Sequence, residues 1–151
     1  MKPLQPFRQT PGLCGPASLK ILLSHYGKDF SEQELAGLCE ATVEQGTDHE
    51  KLIKAVQVIG EKAYAKSGGT IDEIREYTRK NIPVIVGWWS TDGDHFSVVY
   101  HADRKSIWMM DPELDEGIRK MSIEEFEHVW YDFDGPENVR VDRWMMALEK
   151  K

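Results

Sequence analysis

The chain has 151 residues, 40% of them hydrophobic, and a formal net charge of −7 at neutral pH. This length and composition predict one globular domain with a hydrophobic core. The sequence has no basic stripe, which argues against nucleic-acid binding. No apolar run approaches membrane-spanning length and residues 1–6 lack a signal core, so we expect a cytoplasmic protein. The two cysteines, Cys14 and Cys39, are fewer than a secreted disulfide framework usually holds.

Helical patterns dominate the first half of the chain. The spacing predicts a helix over residues 15–26 that has a broad apolar face and ends at Gly27. Gly60 and Pro83 are expected to end two later helices, and a short strand is expected near residues 63–65. Capping boxes, in which a Ser or Thr is followed three residues later by a Glu, predict where three helices begin: at Ser31, Thr47 and Thr70.

Strand patterns dominate the second half of the chain. The continuous apolar run at residues 84–89 predicts a strand buried on both faces. Residues 95–100 and 107–111, separated by a polar turn, predict a long β-hairpin. A capping box at Ser122 predicts one more helix, and residues 144–148 predict a last strand. Helices followed by antiparallel strands indicate an α+β fold, and we expect the five tryptophans in its core: Trp88, Trp89, Trp108, Trp130 and Trp144.

Cys14 is the first candidate for a functional residue. It follows a polar loop and stands directly before the first predicted helix, where Gly15 allows close approach to the thiol and Pro16 fits the first helical turn. The dipole at a helix N-terminus stabilises a thiolate, so Cys14 is a candidate nucleophile. A small buried residue is the alternative interpretation. The sequence also permits a disulfide with Cys39, which would silence the thiol.

His95 and Asp111 are candidates for the base that a cysteine nucleophile requires and for the group that orients this base. His95 begins the first strand of the predicted hairpin and Asp111 ends the second, so antiparallel pairing brings them towards each other. Asp111 would then accept the imidazole proton and set the tautomer. Both residues also have structural interpretations: His95 as a buried, hydrogen-bonded histidine, and Asp111 as part of an Asp-Pro turn.

The other four histidines are weaker candidates. The rise of the helix puts His25 roughly 16 Å from the candidate nucleophile, and His101 lies on the strand of His95 but roughly 20 Å from it. His49 and His128 fall on charged stretches of predicted helices, where we expect them to be solvated. There is no zinc spacing, calcium loop or phosphate-binding glycine loop, so we expect no metal and no cofactor.

Gln9 is the candidate oxyanion donor. A side-chain amide can donate to the oxyanion of a tetrahedral intermediate, together with the backbone N–H of Cys14. An ordinary polar loop residue is the alternative. Gln5 is a weaker substitute because it lies farther from Cys14 along the chain.

Together these motifs make the chain resemble the C39-like cysteine peptidases, a papain-like group. In the family the glutamine usually stands one residue farther from the cysteine than Gln9 does from Cys14. The best-known members cut peptides after paired glycines, mostly as the first domain of membrane exporters. The matching pieces follow one order between residues 9 and 130: Gln9, Cys14-Gly15-Pro16-Ala17-Ser18-Leu19, Pro83-Val84-Ile85-Val86, His95-Phe96-Ser97-Val98-Val99 and Asp111-Pro112.

The resemblance implies a papain-like α+β fold. A helical lobe at about residues 10–80 would pack against an antiparallel sheet lobe at about 83–151, within a single domain of residues 1–151. The implied site has a nucleophile, a base that also acts as an acid, an orienting carboxylate and an oxyanion donor: Cys14, His95, Asp111 and Gln9.

The resemblance also implies an activity, the thiol-dependent hydrolysis of peptide or amide bonds through an acyl-enzyme intermediate. The partner would be a peptide or protein substrate, with a glycine-rich cleavage site as in the best-known members. Two alternatives stay open on the sequence. One is a catalytically inactive peptide-binding module, and the other is an acyl transferase or deamidase that uses the same residues.

Overall fold

The computed structural model describes residues 3–148, and the helices and strands there confirm the α+β class. No helix within these residues is long and apolar enough to cross a bilayer. The helices are α1 (Cys14–His25), α2 (Glu32–Leu38), α3 (His49–Ile59), α4 (Ile71–Arg79) and α5 (Ile123–Val129). The strands are β1 (Ala63–Lys66), β2 (Val84–Ser90), β3 (Gly93–Ala102), β4 (Ser106–Met110), β5 (Ile118–Ser122), β6 (Tyr131–Asp134), β7 (Val139–Asp142) and β8 (Met145–Leu148).

Six of the strands form one antiparallel sheet in the order β1-β8-β2-β3-β4-β5, and β6 pairs with β7 in a separate two-stranded ribbon. A tight turn joins β2 to β3, with Ser90 opposite Gly93. A second turn, closed by the N–H of Asp103 donating to the carbonyl of Ser106 at 2.9 Å, joins β3 to β4. The predicted hairpin is therefore confirmed, and neither of its strands is at an edge of the sheet.

Apolar side chains cover both faces of this sheet, as the continuous run in β2 predicts. On one face, Ile85 and Val98 pack with α1, α2 and α3 in one core cluster. On the other face, Val84 and Val99 pack with α4 and α5 in a second cluster. Successive strand residues point to opposite faces, so burying both faces requires apolar residues at consecutive positions.

The structure corrects three expectations about local structure. α1 begins at Cys14, so this residue is part of the helix. α3 begins at His49 after Asp48, without a side-chain cap, so the capping box expected at Thr47 is wrong. Trp89 is 37% exposed and stacks on Tyr131, and Trp108 is only partly buried and lies outside both core clusters, so neither belongs to the core. The sequence patterns also missed three strands, because β5, β6 and β7 carry many polar residues.

Candidate active site

Cys14 is the first residue of α1 and is half-buried, with a free thiol. The second cysteine, Cys39, is also free but lies in the core, so the two do not form a disulfide. Gly15 has a steric reason to lack a side chain, since a Cβ there would lie 2.9 Å from the side chain of Thr47. The loop before α3 therefore packs directly beside the thiol-bearing turn.

The pairing of β3 with β4 brings His95 and Asp111 together. Val98 lies opposite Met110. Asp111 follows Met110 directly, so it lies next to the first half of β3, where His95 is. The Nε2–H of His95 donates to Oδ1 of Asp111 at 2.6 Å. His95 is 4% exposed and Asp111 is fully buried. The expected proximity of these two residues follows directly from the hairpin.

The Cys14 thiol lies beside the same imidazole ring, close enough to raise the pKa of His95. Because Nε2 faces Asp111, the ring nitrogen left for the thiol is Nδ1. Burial alone lowers the pKa of His95, but the hydrogen bonds and negative charges of Asp111 and Cys14 outweigh burial and raise this pKa to about 10. The surroundings therefore favour the imidazolium form.

Two further groups hold the Asp111 carboxylate. Its Oδ1 also accepts the backbone N–H of Glu113 at 2.9 Å, and its Oδ2 accepts the Nε–H of Arg119 at 2.6 Å. Burial raises the pKa of this carboxyl, but the hydrogen bond and charge of His95, with these two donors, hold it below its usual range. Sequence reasoning missed Arg119 because it lies on β5, a strand that the patterns did not predict.

Gln9 lies at the cleft that contains Cys14 and His95. Its backbone N–H donates to the carbonyl of Pro112 at 2.8 Å, which ties the Gln9 loop to the turn after Asp111. Its Nε2 donates to the carbonyl of Thr10 at 3.3 Å, and its Oε1 is buried without a hydrogen-bond partner among the described residues. Gln5, the alternative donor, is exposed and does not line this cleft.

The Gln9 loop is also anchored to the second helix. Glu32 is buried, and its carboxylate accepts both the backbone N–H and the hydroxyl of Thr10, at 2.8 and 2.6 Å. This pair holds the polar loop that leads to Cys14. Nothing in the local sequence pattern indicated it, because Glu32 lies 22 residues from Thr10 and opens a different helix.

His49 is buried, which corrects the expectation that it is solvated. Its Nε2–H donates to Oδ2 of Asp132 at 2.6 Å, and its ring stacks on Trp144 with centroids 4.2 Å apart. The structure therefore contains a second buried imidazole–carboxylate pair, in which Asp132 lines the same cleft as Cys14. His128 is exposed on α5, as expected.

One group of side chains could supply ligands to a metal ion. His95, Asp111 and Glu113 each offer one ligand atom, and these atoms lie within 4.8 Å of one another. Both oxygens of Asp111 already accept hydrogen bonds from protein donors. A cation here would have to displace the bond between His95 and Asp111, so these residues fit a hydrogen-bonded pair better than a metal centre.

The fold defines the class of protein. A helical layer that carries a thiol at a helix tip packs on an antiparallel sheet that carries a buried imidazole–carboxylate pair, and this is a papain-like fold. The model of the Peptidase C39 family matches residues 9–133, and the chain belongs to that family of cysteine peptidases.

Known proteins show how far the similarity extends. The lactococcin-G-processing and transport ATP-binding protein LagD of Lactococcus lactis is 30% identical over 125 residues, which are 82% of this chain and 17% of LagD. The chain thus spans about a sixth of that relative. The peptidase domain of Streptococcus ComA superposes with a TM-score of 0.75 at 23% identity, over 98% of each chain. A double glycine motif protease from a transporter, solved with its leader peptide, gives a TM-score of 0.72 at 19% identity, over 97% of this chain and 93% of that one.

Proposed function

We propose that this chain is a thiol-dependent hydrolase of peptide or amide bonds, with Cys14 as nucleophile, His95 as acid and base, and Asp111 as the orienting carboxylate. The observation that carries the proposal is the buried His95 ring, which donates to Asp111 at 2.6 Å and lies beside the Cys14 thiol. Covalent catalysis needs a nucleophile, a base and an orienting group within hydrogen-bond reach of one another.

In the acylation step, the Cys14 thiolate attacks the carbonyl carbon of the substrate and forms a C–S bond. The His95 imidazolium then gives its proton to the leaving amine as the C–N bond breaks. A thioester on Cys14 and a neutral imidazole remain. The raised pKa of His95, about 10, keeps this proton available at neutral pH. Gln9 is the proposed oxyanion donor, and its role requires its amide to turn from the Thr10 carbonyl towards the cleft.

In the deacylation step, a water molecule attacks the thioester carbonyl and gives a proton to His95. The C–S bond breaks, the acid product leaves, and Cys14 returns to its starting state. An amine that takes the place of water would give acyl transfer through the same intermediate. Incubation with an added amine and mass spectrometry of the products distinguishes transfer from hydrolysis.

The substrate we propose is a peptide or protein with a glycine-rich cleavage site. Its support is family membership and the likeness to a double glycine motif protease solved with a leader peptide. We propose that residues 1–151 form a single peptidase domain with a helical lobe and a sheet lobe. A cytoplasmic location is part of the proposal, because a thiol nucleophile has to stay reduced and both cysteines are free.

Alkylation by iodoacetamide at pH 7.5, followed by peptide mapping, tests the proposed nucleophile. We expect Cys14 to react rapidly and Cys39 slowly, because burial raises the pKa of Cys39 to about 12. His95→Gln should slow the reaction of Cys14 by roughly tenfold or more, since the thiolate loses its imidazolium partner. His128→Gln, which changes an exposed ring outside the site, is the matched control.

A peptide library that contains Gly-Gly sequences, analysed by mass spectrometry, then tests hydrolysis itself. Cleavage by the wild-type protein that is lost in Cys14→Ala supports the proposal. If Cys14 reacts no faster than free glutathione, or if His95→Gln leaves its rate unchanged, the proposed nucleophile is wrong. Peptide binding without cleavage would favour the inactive binding module.

A further inference from the structure

The cleft beside Cys14 has a strongly acidic wall. It has a volume of about 340 Å³, and no lysine or arginine is among the described residues that line it. Carboxylates outnumber the cationic His95 ring on this wall, and an excess of one sign focuses the electrostatic potential inside a low-dielectric cleft. The carboxylates that line it are Glu44, Asp48, Asp92, Asp94, Glu113 and Asp132.

Two of these carboxyls lie at the His95 end of the cleft. Oε2 of Glu113 is 3.7 Å from Nε2 of His95. Burial raises the pKa of Glu113, and the neighbouring carboxyl of Asp92 raises it further. Within residues 3–148, no lysine or arginine forms an ion pair with either carboxyl. Two acids therefore face each other beside the proposed catalytic ring, with no lysine or arginine between them.

A buried acceptor without a partner lies on the wall of the same cleft. The side chain of Asp132 is 2% exposed, and its Oδ2 accepts the Nε2–H of His49. Its Oδ1 has no hydrogen-bond partner within residues 3–148. Nearby, burial raises the pKa of Asp94 and the negative charge of Asp132 raises it further. A buried carboxylate oxygen without a donor is costly, so this position favours a ligand that brings N–H groups.

We propose that the acidic cleft selects substrates with a positively charged side chain, lysine or arginine, close to the bond that Cys14 attacks. This inference rests on the proposed function and adds the charge of the substrate to it. A cationic side chain would lie between Asp92 and Glu113 or reach towards Asp132, where carboxylates supply acceptors that no lysine or arginine of the cleft wall occupies. An acidic side chain in the same place would be repelled.

Two thiol reagents of opposite charge test the inference without a known substrate. The 2-aminoethyl methanethiosulfonate cation carries the ammonium group of lysine, and its 2-sulfonatoethyl counterpart is an anion. Each forms a mixed disulfide with Cys14 and releases methanesulfinate. At low salt, we expect the cation to react with Cys14 faster than the anion does. The ratio of the two rates should fall roughly threefold to tenfold in the double variant Asp92→Asn/Glu113→Gln.

The two substitutions are made together because the carboxyl of Asp92 raises the pKa of Glu113, so Glu113 can regain its charge when Asp92 alone is replaced. Glu127→Gln on α5, outside the cleft, is the control and should leave the ratio unchanged. The rate of alkylation by neutral iodoacetamide, measured in each protein, corrects the two charged-reagent rates for any change in the reactivity of Cys14 itself. A normal iodoacetamide rate with no charge selectivity overturns this inference and leaves the proposed nucleophile intact.

Protection by short peptides adds a test of binding. We expect tri-lysine to slow the alkylation of Cys14 by iodoacetamide, and tri-glutamate at the same ionic strength to have no effect. The double variant should lose the protection. Equal effects of the two peptides, or none from either, would mean that the cleft biases charged reagents without binding a cationic chain, and the inference would then be wrong.

Discussion

Replacing Asp111 by Asn tests how the proposed site is held together. Three N–H donors converge on this fully buried carboxylate: from His95 and Glu113 on Oδ1, and from Arg119 on Oδ2. An amide has one acceptor oxygen, so its NH₂ group must face either Arg119 or the other two donors. Asp111→Asn keeps the size of the side chain, but it removes the charge. It also leaves the amide NH₂ group facing at least one N–H group that the carboxylate accepted.

The expected effects follow from the pKa of His95. It is raised from 6.5 to about 10, which corresponds to a preference for the imidazolium on the order of 5 kcal/mol, shared between Asp111 and Cys14. Loss of the Asp111 share should lower this pKa towards its ordinary value. The variant also leaves buried cationic groups without their carboxylate, which should cost about 3–5 kcal/mol of the free energy of unfolding. Catalysis should fall roughly a hundredfold to ten-thousandfold.

NMR titration of the histidine Cε1–H signals measures the pKa directly, with His95→Gln to assign the resonance. We expect a wild-type midpoint near pH 10 and a clearly lower one in Asp111→Asn. Because the folded-state pKa is above 6.5, the stability that the charged ring contributes is complete below pH 6.5. This stability is lost as the pH rises through about 10. Urea unfolding measures the free energy of unfolding of the wild type and of His95→Gln. The difference between these two free energies should become smaller as the pH rises across this range.

Asp115→Asn is the matched control, because it changes an exposed carboxylate in the same loop and should leave the His95 midpoint unchanged. Circular dichroism establishes that each variant is folded. A wild-type midpoint near 6.5 would refute the reasoning, since the ring would then gain nothing from its partners. So would an Asp111→Asn midpoint equal to that of the wild type.

Two further predictions concern the groups around the site. Arg119→Met should lower the free energy of unfolding by about 1–3 kcal/mol, because a buried carboxylate oxygen loses its donor. Urea unfolding measures this free energy. The control Arg79→Met, at an exposed position, should change it by less than about 0.5 kcal/mol. Gly15→Ala should cost about 1–3 kcal/mol and slow alkylation of the nucleophile, because its Cβ would lie 2.9 Å from Thr47. Adding Thr47→Gly, which removes both Thr47 atoms that lie 2.9 Å away, should restore most of the alkylation rate. Gly37→Ala, in a helix where the described residues place no atom within 4 Å of its Cβ, should stabilise by about 0.5–1 kcal/mol. A Gly15→Ala protein as stable as the wild type would refute the steric argument.

Much of the fold was predictable because its signals are local. The capping boxes at Ser31 and Thr70 are present with both hydrogen bonds, and Ser122 accepts the N–H of Glu125. The box expected at Thr47 failed for a tertiary reason. Thr47 packs against the Gly15 backbone, its hydroxyl has no hydrogen-bond partner in the part of the chain that the structure describes, and α3 begins after Asp48 instead. The same residue pattern therefore gave different results depending on what packed against it.

The proposed catalytic pair was also accessible from the chain order. His95 and Asp111 are 16 residues apart on neighbouring strands of one hairpin, so the pairing rule alone brings them close. Cys14 could be expected to join them only from the resemblance to a family. No local rule relates a residue at a helix tip to a strand residue 81 positions later in the sequence. The packing of α1 on β3 brings the two residues together.

Local spacing along the chain was therefore enough for the α+β class, most helix starts and the hairpin that carries His95 and Asp111. Packing between distant segments decided the rest: the Arg119 bond to Asp111, the buried pair of His49 and Asp132, and the acidic lining of the cleft. The physical reason is that the two kinds of interaction act over different separations along the chain. Capping and hairpin hydrogen bonds act over a few residues, whereas the burial of charged side chains depends on which surfaces the folded chain brings together.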